Sequence, residues 1–114
     1  MDAVQMILLF DYYGGLLAER QRMCFDLRYN QDLSLGEIAA ELGISRQGVY
    51  DNITRAEQRL LLMEEQTGCV RRLLQSRKAN RSIRESAQQL LNHPDPAVRE
   101  LAARIDSAAG SIEE

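Results

Sequence analysis

Aromatic and chemically reactive residues are scarce in this sequence of 114 residues, which contains no tryptophan, two phenylalanines and one histidine. His93 precedes Pro94, and no serine or cysteine stands at the spacing that a nucleophilic motif requires. The glycine pair Gly14–Gly15 is followed by Leu-Leu-Ala-Glu and lacks the lysine of a phosphate-binding loop. The sequence therefore argues against an enzyme, and we expect no catalytic residue and no cofactor.

Cysteines and long apolar segments are also scarce. Cys24 and Cys69 have no CxxC partner, and together with one histidine they do not form a recognisable zinc site. No apolar run approaches the roughly 18 residues that span a membrane, and the sequence after Asp2 lacks the basic lead of a signal peptide. These features predict a cytoplasmic protein with reduced thiols, no metal and no membrane insertion.

Charge is distributed unevenly along the chain. Residues 1–69 carry six Lys/Arg against eleven Asp/Glu, a net charge of −5, whereas residues 70–114 carry eight against six, a net charge of +2. Strong sequence-independent binding to DNA usually requires a basic surface. The acidic first part therefore counts against a simple DNA-binding regulator.

Two short helical patterns separated by a tight turn occupy residues 34–59. Ser34 and Glu37 form a capping box at the start of the first helix, and Gly43 suits the left-handed residue at its end. Ser45 can cap the second helix, and Ile44 is expected to plug the angle between the two. Their apolar stripes are Leu35, Ile38, Ala39 and Leu42, then Val49, Ile53, Ala56 and Leu60. This pattern predicts a helix-turn-helix; an ordinary helical hairpin is the alternative.

Helical periodicity extends over the rest of the chain and indicates an all-α fold. It predicts helices over residues 2–13, 17–30, 46–66 and 70–84, another from the capping box Ser82–Glu85, and a last one beginning at Pro96 after Asp95. We divide the chain into a helix-turn-helix domain (1–68) and a C-terminal helical extension (69–114). Residues 60–63 are all apolar and therefore point to several sides of the helix, more than packing against one neighbouring surface would bury. Either the tail covers it, or the chain forms a homodimer through Leu60, Leu61 and Met63.

The second helix of the motif offers a candidate nucleic-acid-binding face. With Val49 at the centre of the buried side, seven residues lie at the N-terminal turn or on the outer side and its flanks. They are Ser45, Arg46, Gln47, Tyr50, Asp51, Thr54 and Arg55. Gln47 suits adenine, and Arg46 or Arg55 suits phosphate, whereas Asp51 would repel phosphate unless it accepts from a cytosine amino group. A solvated helix surface and a protein contact are the alternatives.

A basic segment follows and forms a secondary patch. Residues 70–84 contain six basic residues and no acidic one: Arg71, Arg72, Arg77, Lys78, Arg81 and Arg84. They could neutralise several phosphates of RNA or DNA. No aromatic residue interleaves with them, so stacking on single strands is not indicated. Docking of this segment on the acidic first part of the chain remains an equal alternative.

Several stretches resemble known protein families. Leu42-Gly-Ile-Ser-Arg46, after Glu37-Ile-Ala39, resembles the helix-turn-helix of the last domain of bacterial sigma factors (region 4). More closely, Phe10-Asp-Tyr-Tyr-Gly14 and residues 45–53, SRQGVYDNI, resemble the YlxM family of small bacterial helix-turn-helix proteins. The resemblance covers about residues 8–67. One departure is Gly48, where alanine is more usual, and glycine there costs up to about 1 kcal/mol.

The resemblance implies an all-helical accessory or regulatory component of the signal recognition particle pathway. Its implied partners are the particle's GTPase and RNA. A different hypothesis is a DNA-binding transcriptional regulator of the sigma region 4-like type, acting through residues 46–55. A third is a structural dimer that scaffolds other proteins through residues 60–63.

Overall fold

The computed structural model of the protein describes residues 2–112, which form six α-helices and no strand. The helices are α1 (Ala3–Tyr13), α2 (Glu19–Tyr29), α3 (Leu35–Leu42), α4 (Arg46–Thr67), α5 (Cys69–Leu90) and α6 (Pro96–Ile112). A short 3-10 turn, Gly14–Leu16, follows α1. The predicted all-α fold class is thereby confirmed. Contacts divide the chain into two compact units, Met1–Val70 and Arg71–Glu114.

Stacked aromatic rings organise one of the two cores of the first unit. The Phe10 ring stacks on Phe25 with centroids 4.5 Å apart, and Phe25 stacks on Tyr29 at 4.1 Å. Phe25 is completely buried and joins α1, α2 and α4 in one cluster with Leu9, Leu60 and others. Gly14 lies under Phe10, where a Cβ atom would stand 3.1 Å from the ring. The packing thus explains the phenylalanine and the glycine of the FDYYG stretch.

The second core of this unit fixes the angle between α3 and α4. Its buried residues come from α2, α3 and α4 and are Cys24, Ile38, Ala39, Val49 and Ile53. Ile44 in the turn packs against this cluster. The Ser34–Glu37 capping box forms in both directions. Gly43 adopts φ 68°, the left-handed conformation that glycine tolerates without steric cost. The predicted helix-turn-helix is confirmed in these local details.

The junction between α4 and α5 is held by a hydrogen-bonded group. The Tyr13 hydroxyl donates to Oε1 of Glu64 (2.7 Å) and lies 2.5 Å from Oγ1 of Thr67. The same Glu64 oxygen accepts from the backbone N–H of Val70 at 3.0 Å. Gly68, at φ 62°, ends α4 between them. These contacts tie the end of α1 to the start of α5 within the first unit.

The second unit is an antiparallel pair formed by most of α5 and by α6. Asn80 Nδ2 donates to the carbonyl oxygen of Ala109 at 3.0 Å, and Arg84 Nε lies 3.1 Å from Asp106 Oδ1. Pro96 opens α6, and Oδ1 of Asp95 accepts from the backbone N–H of Ala97, as predicted.

One sequence prediction about this second unit is wrong. No helix starts at Ser82, because α5 runs unbroken through it and has neither proline nor glycine to interrupt it. The periodic apolar positions of α5 and α6 are not uniformly buried: Ala87 and Ala102 are buried, whereas Ile83, Leu90, Leu101 and Ile105 are between 42% and 55% exposed. The helices meet through small residues, which leaves the larger apolar side chains outside.

The predicted dimer contact at residues 60–63 also needs correction. Leu60 is completely buried in the aromatic core of its own chain, and Met63 packs against the same core. Neither side chain can therefore lie at the centre of a contact with another copy. Of the three predicted residues, Leu61 is exposed, at 38%.

Candidate nucleic-acid interface

The N-terminal turn of α4 is built by Ser45 and Gly48. Ser45 Oγ accepts from the backbone N–H of Gly48 at 2.9 Å, which satisfies one of the free donors of the helix end. A Cβ atom at position 48 would stand 3.1 Å from that oxygen. The glycine therefore permits a close cap, although it lowers the helix propensity of the turn.

Burial of one side of α4 leaves the other side facing outward. Val49 and Ala56 are completely buried and Ile53 nearly so, whereas Arg46, Gln47 and Arg55 are exposed. Tyr50 is 53% exposed. Gln47 Nε2 donates to Asp51 Oδ1 at 2.9 Å, one turn further along the helix. This hydrogen bond orients the Gln47 amide and engages one oxygen of the Asp51 carboxylate.

The remaining candidates lie on different flanks of α4. Asp51 and Thr54 are half-buried. Tyr50 and Thr54 line a groove of about 470 Å³ together with residues of α1, α2, the α2–α3 connection and α3. Arg55 instead lines a shallow cleft with Gln21, Gln58, Arg59 and Leu62. The seven predicted residues therefore do not form one surface. Some of them lie on the exposed N-terminal turn of α4, and the later ones lie on two different sides of the helix.

A tyrosine–glutamate pair forms the floor of the groove beside Tyr50 and Thr54. The Tyr29 hydroxyl donates a short hydrogen bond to Oε2 of Glu57. Burial, followed by the hydrogen bond and the negative charge of Glu57, raises the pKa of Tyr29 from 10.0 to about 12. Arg28 and Asp32 line the same groove. These polar groups were not identified from the sequence, because Tyr29 and Glu57 are 28 positions apart.

Alkaline titration tests this pair. Because folding raises the Tyr29 pKa, its stabilising contribution is complete below pH 10 and is lost as the pH rises toward about 12. Ultraviolet absorbance should show a late tyrosinate step that disappears in Tyr29→Phe. The Tyr13 pKa is also raised, mainly by burial. Titration of Tyr13→Phe therefore shows which of the late tyrosinate steps belongs to Tyr13 and which to Tyr29. An unchanged late step in Tyr29→Phe would contradict the assignment.

The predicted basic patch on α5 is divided between different sides of the helix. Arg84 is half-buried and paired with Asp106, so its charge is already partly compensated. Arg77, Lys78 and Arg81 are exposed and fall within about 100° of one another around α5. Arg71 and Arg72 are exposed as well, but Arg72 lies on the opposite side of the helix from Arg81.

Comparison with known proteins places this helix-turn-helix in a family. The model of the UPF0122 family, described as "Putative helix-turn-helix protein, YlxM / p13 like", matches residues 1–101. The chain belongs to this family. The match confirms the YlxM resemblance and extends it beyond residue 67, through the basic segment and into the first turns of α6.

Relatives in the family are between 38% and 52% identical to this chain over the aligned residues. The UPF0122 protein of Acetivibrio thermocellus is 52% identical over 84 residues, 73% of this chain and 70% of its own length. That of Thermoanaerobacter sp. (strain X514) is 52% identical over 71 residues, 62% of this chain. That of Bacillus cereus (strain AH187) is 38% identical over 103 residues, 90% of each chain. The match spans 61% of the Thermoanaerobacter protein's length.

The family supports a binding role built on the helix-turn-helix. Among residues 2–112, no three or more His, Cys, Asp or Glu side chains converge as metal ligands. Over the same residues, no helix combines the length and hydrophobicity needed to cross a bilayer. The helix-turn-helix formed by α3 and α4 is the feature that the structure and the family description have in common.

Proposed function

We propose that this protein is a cytoplasmic, non-enzymatic binding protein whose helix-turn-helix contacts nucleic acid. The supporting observation is the N-terminal turn of α4, where Arg46, Gln47 and Tyr50 are exposed while Val49 behind them is completely buried. In helix-turn-helix proteins the corresponding turn of the second helix contacts base edges. Gln47 offers amide groups suited to adenine, and Arg46 a guanidinium suited to phosphate or guanine.

The partner that we propose is the RNA of the signal recognition particle, with an accessory or regulatory role in protein targeting. The YlxM resemblance supports this assignment. Charge counts against a free-standing DNA regulator, because the first unit carries a net negative charge and lacks the broad basic surface of such proteins. Arg77, Lys78 and Arg81 on one side of α5 supply phosphate contacts in this proposal, and the particle's GTPase is the second partner.

A DNA-binding regulator of the sigma region 4-like type is the second candidate. The feature that favours it is the helix-turn-helix geometry itself: α3 is capped, Gly43 is left-handed, and the start of α4 is exposed. An α-helix of this kind fits the major groove of B-form DNA but not the deep, narrow major groove of A-form RNA. In the RNA proposal, α4 must therefore contact a loop, a bulge or a widened groove.

A binding assay with matched variants tests the proposal. Arg46→Ala/Gln47→Ala should weaken binding to the particle RNA at least about tenfold, since one good base contact is worth about 1–3 kcal/mol. Gln58→Ala/Arg59→Ala is the control, because it removes the same residue types from a later turn of α4. Fluorescence anisotropy at several salt concentrations measures both variants on the RNA and on genomic duplex DNA.

Each outcome of this assay discriminates between the candidates. Binding to duplex DNA with a steep salt dependence, without binding to the RNA, would favour the regulator. Equal weakening by both double variants would remove the special role of the first turn. If neither nucleic acid binds even at low salt, and the particle's GTPase rate is unchanged by the protein, the proposed function fails.

A further inference from the structure

The helical hairpin of residues 71–112 buries only small side chains among those that the structure describes. They are Asn80, Ala87, Ala102 and Ala109. Six of the larger apolar side chains are exposed to solvent in this chain by 42–67%: Leu74, Ile83, Leu90, Leu101, Ile105 and Ile112. Because apolar burial is the main stabilising contribution in folded proteins, a hairpin that leaves this many Leu and Ile side chains exposed is incomplete by itself.

Five of these six exposed side chains lie on the same side of the hairpin. On α5, Ile83 and Leu90 are turned about 60–80° from Asn80, which contacts α6. On α6, Leu101, Ile105 and Ile112 are turned about 60–100° from Ala102, in the same rotational sense. The Asn80–Ala109 contact marks the side of each helix that faces the other helix. Because the helices are antiparallel, a similar rotation away from that side, in the same sense on each helix, places the exposed side chains of α5 and of α6 on one face of the hairpin.

This face has the spacing of helix-bundle interfaces on both helices. On α5 the positions are Ser76, Ala79, Ile83, Ser86 and Leu90, and on α6 they are Val98, Leu101, Ile105, Ala108 and Ile112. Both series advance by alternating steps of three and four residues, the pattern of helices that pack at about 20°. None of these ten positions carries a charge. The spacing thus favours packing against further helices over contact with solvent or with a phosphate backbone.

We propose that a second copy of this chain covers this face, so that two hairpins form an antiparallel four-helix bundle. The apolar surface is two helices wide. A single docked helix would lie in the groove between α5 and α6, and it would leave Leu101 and Ala79, at the edges of the apolar surface, exposed. From the helix length and diameter, the face measures on the order of 25 Å by 20 Å. Its area is roughly 500 Å² on each copy, at the low end of what specific complexes bury, and a second hairpin matches both dimensions.

Charge favours one arrangement of the two copies. Within the second unit, residues 71–90 of α5 carry six Lys/Arg and one Asp/Glu, whereas α6 carries two of each. Packing α5 against α5 of the other copy would bring two strongly basic helices together. Packing α5 against α6 of the other copy avoids this repulsion. The basic side chains of Arg77, Lys78 and Arg81, on the opposite side of α5 from Ile83, stay accessible in the bundle.

Light scattering of the full chain coupled to size exclusion tests the proposal. The unaltered protein should be a dimer at about 100 μM, well above a μM-scale dissociation constant. Leu101→Glu/Ile105→Glu should convert it to a monomer, because two exposed apolar contacts become charged. Leu74→Glu is the matched control: it places the same charge on a similarly exposed leucine of α5, about 180° away from Ile83 around the helix, and should remain dimeric.

Circular dichroism separates dissociation from loss of folding. If the glutamate variant loses helix content, Leu101→Ala/Ile105→Ala replaces it, and this variant should raise the dissociation constant at least tenfold. A monomeric unaltered protein at about 100 μM would overturn the proposal and leave a different protein as the occupant. A dimer that survives both α6 variants, or that dissociates equally in Leu74→Glu, would overturn it as well.

Discussion

Phe25→Ala should lower the free energy of unfolding by about 3–5 kcal/mol, the largest single-residue effect that we expect. Phe25 is completely buried, and its ring lies between Phe10 and Tyr29 in one continuous stack. The substitution removes apolar burial and two ring contacts, and it leaves a cavity that α1 and α4 cannot both close. Urea denaturation followed by circular dichroism measures the loss.

A matched control distinguishes core packing from the general loss of an aromatic side chain. Tyr50→Ala removes a ring of similar size from an exposed position on α4. We expect a change within about 0.5 kcal/mol, as is usual for surface substitutions. A loss for Phe25→Ala no larger than the loss for Tyr50→Ala would contradict the central position of the stack.

The helix-turn-helix could be predicted from the sequence because its determinants are local. Ser34 and Glu37 are three residues apart and cap the same turn, and Gly43 is required by the backbone conformation of a single residue. The periodic apolar residues Val49 and Ile53 then face the core that α2 and α3 complete. Each of these features depends on contacts within one turn or on the 3.6-residue repeat.

The groove and the junction could not be predicted, because their contacts join distant positions. Tyr29 reaches Glu57 across 28 residues, and Tyr13 reaches Glu64 across 51. In the sequence, both glutamates look like ordinary members of a solvated helix face. The only available indication was that each tyrosine lies in a stretch of apolar residues, which predicts burial but names no partner for its hydroxyl.

The second unit shows a different reason for failure. Helical periodicity in this part of the sequence predicts helices with apolar stripes, as α5 and α6 have, but it leaves open what covers those stripes. The helices meet through Asn80 and alanines, while Ile83, Leu101 and Ile105 are exposed. A repeat of apolar residues predicts that a helix face is covered; it does not say which molecule covers it. For this reason the proposed dimer interface follows from the structure and not from the sequence.

Glu64→Ala should cost about 2–3 kcal/mol, the second large effect that we expect. One carboxylate oxygen accepts both from the buried Tyr13 hydroxyl and from the backbone N–H of Val70, at 2.7 and 3.0 Å. That N–H belongs to the first turn of α5, where backbone donors have no partner within the helix. Glu64 therefore caps α5 from the preceding helix, across the left-handed Gly68, and its negative charge favours the positive end of the helix dipole.

Chemical denaturation of four variants measures this coupling. Glu65→Ala removes the neighbouring exposed glutamate and should change stability by no more than about 0.5 kcal/mol. Tyr13→Phe removes the hydroxyl but keeps the buried ring, and the double variant with Glu64→Ala closes a cycle. Because the two side chains share a hydrogen bond, their effects should be non-additive by about 0.5 kcal/mol or more. Additive losses would mean that the Tyr13 hydroxyl is stabilised by Thr67 alone, and an equal loss in Glu65→Ala would remove the capping role of Glu64.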